Sequence, residues 1–90
     1  DIVAILGKLT DVAENLVSNV LFKPDNEPVA ILMRAVGASQ KGFKAVQELR
    51  AKKLRLPHSH IEYGMRNFAE LDEQTAKRSL RFVMVRSEVA

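Results

Sequence analysis

Residues 28–56, PVAILMRAVGASQKGFKAVQELRAKKLRL, decide how this chain folds. Val29, Leu32, Met33 and Val36 recur at the helical period and predict a short apolar helix. Asp25 or Asn26 can cap it, and Pro28 is tolerated in its first turn, where the missing N–H has no intrahelical acceptor. Gly37 ends it, because the left-handed conformation common after a helix costs glycine little. Ser39 then caps a longer helix whose inward face reads Phe43, Val46, Leu49 and Leu54. Its outward face carries Lys41, Lys44, Arg50 and Lys52 or Lys53. Gly42 inside it costs about 1 kcal/mol relative to alanine, and close approach of another backbone is the simplest reason to keep it. Leu56-Pro57 stops the helix, since the residue before proline avoids the α region.

Outward from this pair, helical signals continue in both directions. Upstream, Ile2, Ile5, Leu6, Leu9, Val12, Ala13, Leu16, Val17 and Val20 keep the helical period to about residue 22. Thr10 or Asp11 can cap a new helix there, which would split the segment in two. Downstream, Ser59 and Glu62 have capping-box spacing and open a helix with Ile61, Met65, Phe68 and Ala69 or Leu71 inward. Gly64 suggests tight packing at its level. Asp72 caps a last helix, residues 73 to about 87. That helix carries one stripe at Ala76, Leu80, Val83 and Met84 and a second at Phe82, Val85 and Val89. The fold class is therefore all-α: a compact bundle of about five helices, with a helix–turn–helix-like pair at 28–55.

Bulk properties narrow the function classes. Ninety residues make one small domain, which buries roughly 60–65% of the surface its unfolded chain exposes. There is no cysteine, so disulfides and thiolate metal sites are excluded. No apolar run approaches the ~18 residues of a membrane span, and no signal peptide is present, which fits a cytoplasmic protein. The chain starts at Asp1 without Met, so residues 1–90 read as a single helical domain cut from the C-terminal part of a longer protein. Charge is uneven. Residues 1–33 carry two lysines against five acids, residues 34–56 carry seven basic side chains against Glu48 alone, and residues 57–90 balance. A local basic patch suits an anionic partner.

Candidate sites follow from these patterns. Gly37, with Leu32 and Val36 before it and Phe43 and Val46 after it, has the spacing of a DNA-reading helix–turn–helix. Gln40, Lys41, Lys44 and Arg50 would then be the nucleic-acid contacts, exposed together on a convex face. Met33 argues against that reading, because tight crossing of the two helices prefers a small residue there. IVAIL at 2–6 is apolar on every side, and the second stripe of the last helix adds to it. Ile2, Ile5, Phe82, Val85 and Val89 are therefore expected to form an association surface for a protein partner or a second copy. His58-Ser59-His60 has no third ligand at metal spacing, and of Glu70, Asp72 and Glu73, clustered at the last inter-helix turn, two read as helix N-terminal acids. No catalytic residue, cofactor or metal site is expected.

The run Pro28 to Leu56 and the ending Thr75 to Phe82, with its final Leu80-Arg81-Phe82, resemble the C-terminal part of a helical family of alphaproteobacteria catalogued only as a domain of unknown function. The resemblance spans roughly the last two-thirds of the chain and carries motifs less specific than a catalytic signature. It implies an all-helical fold and a regulatory or interaction role in the bacterial cytoplasm. The expectation is a non-catalytic module for protein–protein interaction or scaffolding, with a DNA-binding regulator using residues 39–55 as the alternative.

Overall fold

The axis of the molecule is α3 (Asn26–Ala35), in which every residue from Val29 to Met33 is buried. A helix apolar on all sides must be enclosed, and its neighbours enclose it. In the computed structural model, which describes residues 2–89 and the side chains of 2–86, the other helices are α1 (Ile2–Thr10), α2 (Glu14–Leu21), α4 (Gln40–Leu54), α5 (His58–Glu70) and α6 (Glu73–Val89). α6 lies along α3, α5 and α2 pack on its other sides, α1 packs on α2, and α4 packs on α5. The whole measures 30 × 25 × 23 Å.

The described residues form six helices where about five were expected, because the first segment breaks. The chain turns at Asp11, which adopts the left-handed conformation (φ 57°), and Val12 N–H donates to the Gly7 carbonyl at 3.2 Å. A Cβ at Gly7 would meet the Val12 carbonyl at 3.1 Å, so the turn closes on a residue with no side chain. Neither Thr10 nor Asp11 caps α2, whose N-cap is Ala13 with no side-chain bond. Thr10 instead donates back to the Leu6 carbonyl at 2.7 Å.

Three expected caps are present. Asp25 accepts from Glu27 N–H at 3.2 Å, Ser39 from Gly42 N–H at 3.1 Å, and Asp72 from Thr75 N–H at 3.1 Å. Gly37 turns with φ 76°. The Ser59 cap is a correction. α5 starts earlier, with Pro57 as N-cap and no side-chain cap bond, so Ser59 lies inside the first turn, and Glu62 pairs with His58 at 3.2 Å. Pro57 has its φ preset and its carbonyl already accepts from His60 N–H at 3.0 Å, which leaves Ser59 no terminus to cap. Gly42 is a second correction, since a Cβ there would meet only the Ser39 hydroxyl, at an ordinary 3.5 Å.

On α6 the expected first stripe is inside: Ala76, Val83 and Met84 are buried and Leu80 is half-buried. The second stripe is outside, with Phe82 and Val85 exposed. Val89 lies outside the residues whose side chains are described.

Candidate interaction surface

α4 shows two unlike faces. Phe43, Val46, Gln47 and Arg50, spaced i, i+3, i+4 and i+7, are its buried face, so half of that stripe is polar. The face expected inside is rotated. Leu49 is 38% exposed and Leu54 only half-buried, while Arg50, expected on the surface as a nucleic-acid contact, is 0% exposed.

Arg50 is held by oxygens from the α2–α3 connection. Its Nε donates to the Leu21 carbonyl at 2.7 Å, and Nη2 donates to the carbonyls of Lys23 at 2.6 Å and Asp25 at 3.2 Å. Nη1 donates to Asn26 Oδ1 at 3.0 Å and to Gln47 Oε1. Leu21 ends α2, so the guanidinium satisfies a carbonyl that the helix leaves open and sits at the negative end of its dipole. Burial lowers the Arg50 pKa from its ordinary value, and nearby Asp25 opposes that shift.

The network continues into α5. Gln47 Nε2 donates to Asn26 Oδ1 at 2.9 Å, and Asn26 Nδ2 donates to the His60 carbonyl at 3.0 Å. His60 Nε2 donates to the Pro24 carbonyl at 2.6 Å. Gly64 lets α5 approach this node, since a Cβ there would stand 2.2 Å from Gln47 Nε2 and 3.0 Å from Asn26 Oδ1. The tight packing expected at Gly64 is thus against polar side chains. The signal for the node was in the sequence: Gln47 and Arg50 continue the stripe of Phe43 and Val46, and a polar residue in a buried stripe needs partners.

A second anchor joins α3, α4 and α5. The Phe43 and Phe68 rings stack with centroids 4.2 Å apart, and the Arg34 guanidinium lies over Phe68 at 4.0 Å while Nη2 donates to the Phe68 carbonyl at 2.6 Å. Such stacking adds about 0.5–1.5 kcal/mol beyond area burial. α3 and α4 themselves approach sparsely, so each is fixed through α5 or α6 and not by tight crossing of the pair.

One flank of α4, through Gly42, Ala45 and Leu49, is open and apolar. With α1 and the end of α3 it walls a groove of about 470 Å3, into which Ile2, Ile5, Leu9, Met33, Ala45 and Leu49 face. Ile5 is 57% and Leu9 65% exposed. Leu9 and Leu49 were not expected there, although both lie one turn from residues that were read as apolar contacts.

The expected site residues thus divide. Gln40, Lys41 and Lys44 are exposed together at the front of α4, without Arg50. Ile2 (half-buried) and Ile5 belong to the α1–α4 groove, whereas Val85 lines a different depression with Thr10, Asp11, Val12 and Leu80. Phe82 is 73% exposed on α6, one turn from both Arg78 and Arg86. Among the described residues no group of His, Asp and Glu is placed to hold a metal ion. No described helix is long and apolar enough to cross a membrane. No protein-family model, curated protein or solved structure matches the chain.

Proposed function

We propose that the chain is a non-catalytic helical module for protein–protein association, with a scaffolding or regulatory role in the bacterial cytoplasm, and that its contact surface is the α1–α4 groove. One observation carries this reading: Ile5, Leu9 and Leu49 are exposed side by side in an apolar groove. Single exposed apolar residues are ordinary, but a contiguous set in a concave surface marks a contact site. The resemblance to the uncharacterised helical family supports the same kind of role. A photo-crosslinking residue placed at Leu49, and another at Gln74 on the exposed side of α6, tests it in cells. Discrete adducts from position 49 and none from position 74 are expected; equal labelling at both sinks the groove as the contact surface.

DNA contact by the front of α4 is the second reading, supported by the joint exposure of Gln40, Lys41 and Lys44 after the Gly37 turn. Binding to duplex DNA would fall steeply with salt, and Lys41→Ala with Lys44→Ala would flatten that slope. Absence of binding at low salt ends it.

A further inference from the structure

The dimensions and rim of the groove specify what it takes. This inference rests on the groove being the contact surface. Ile2 to Leu9 on one wall and Gly42 to Leu49 on the other each span two helical turns, about 10 Å at the helical rise. α1 and α4 do not pack closely on each other, so the groove lies open between them along that length. A stable homodimer buries about 800 Å2 per partner, so this groove by itself is far too small to hold a second copy. Two turns of one helix, with apolar anchors at i, i+3 or i+4 and i+7, do fit.

Charge narrows the occupant further. Lys8 stands one turn from Ile5, Lys41 one turn from Ala45 and Lys52 one turn from Leu49, and all three are exposed. Glu48 is the single carboxylate on α4. Lys53 is engaged elsewhere, its Nζ 5.0 Å from the centre of the Phe22 ring. A second copy would bring these lysines against their own kind, whereas a helix with carboxylates flanking its apolar stripe meets them favourably.

We propose that the α1–α4 groove receives one amphipathic helix of a partner protein, with a short apolar stripe and acidic flanks. The test uses two labelled synthetic helical peptides with the same leucines at i, i+4 and i+7, one flanked by glutamates and one by lysines, titrated with the full chain and followed by anisotropy. The glutamate peptide is expected to bind at least about tenfold more tightly, with the margin shrinking as salt rises. The exposed pair Lys41→Glu with Lys52→Glu is expected to reverse the preference, and Leu9→Ser or Leu49→Ser to weaken the glutamate peptide by about tenfold. Equal binding of both peptides overturns the acidic partner and leaves the groove standing. Glutamate-peptide binding that ignores Leu9→Ser and Leu49→Ser overturns the groove as its seat. No binding of either peptide overturns the docked helix, and the crosslinking at position 49 then decides the broader reading separately.

Discussion

Two parts of α4 run against the usual arrangement. Its buried stripe of Phe43 and Val46 also carries Gln47 and Arg50, while Ala45 and Leu49 stand toward solvent among Lys41, Lys44, Glu48 and Lys52. A buried guanidinium loses hydration worth several kcal/mol and survives only where its donors are matched, and here carbonyl and amide oxygens from four other residues, with Gln47, match them. Leu49, 38% exposed, leaves part of its apolar surface in water and forfeits that share of burial. The lesson is that the polar face holds the fold and the apolar face is left for something else. Predictions follow from setting one face against the other.

The largest effect is expected at Arg50→Ala, which strands buried oxygens and opens a cavity: about 3–5 kcal/mol lost in a urea titration. Arg50→Lys should recover little of it, since an ammonium cannot reproduce the planar fork. A loss under about 1 kcal/mol would erase the distinction between the faces. Gly64→Ala comes next, at roughly 1–3 kcal/mol, because the new Cβ drives into Gln47 and Asn26, which are locked in the node. Gln47→Ala made alongside Gly64→Ala should cost less than the sum of the single changes, and strict additivity would show that the clash is elsewhere.

Smaller still is the contrast between two serines. Ser39→Ala should cost about 1 kcal/mol by losing its bond from Gly42 N–H, while Ser59→Ala should stay within about 0.5 kcal/mol. Equal costs would restore the capping role to Ser59. At the bottom of the range, Leu9→Ser, at a side chain 65% exposed, should cost no more than about 0.5 kcal/mol in the urea titration, and Leu49→Ser, at one 38% exposed, about 1 kcal/mol. A loss of 2 kcal/mol or more, as for core truncations, would make the groove part of the core and remove its case as a contact surface.

The sequence made α3 legible, with its apolar run, the cap at Asp25 and the turn at Gly37, because those signals are local. It also separated the two stripes of α6, of which packing buries the first. It misled at α4 for a physical reason. Leu49 and Leu54 outrank Gln47 and Arg50 on hydrophobicity, and the oxygens that reverse this order come from residues 21–26, more than 20 positions upstream. At the first segment the apolar period runs unbroken through the turn at Asp11; the sequence offers a split only through a cap at Thr10 or Asp11, whereas Gly7 and the left-handed Asp11 make it without either cap. The α1–α4 groove was half visible: Ile2 and Ile5 were marked, but only packing shows that Leu49 is their neighbour.

The Arg50 node also bears on the order of assembly. Its acceptors do not exist as a set until the α2–α3 connection has formed and α4 has docked against it, so the guanidinium has no place to go early in folding. Shedding its hydration before that point would raise the barrier, so the node should close after the rate-limiting step. Arg50→Ala would then leave the refolding rate nearly unchanged and steepen escape from the native state, with the stability loss carried almost wholly by faster unfolding in a stopped-flow chevron. On that outcome Asn26, Gln47 and Arg50 would act as a late latch, setting how long the fold persists more than how quickly it forms.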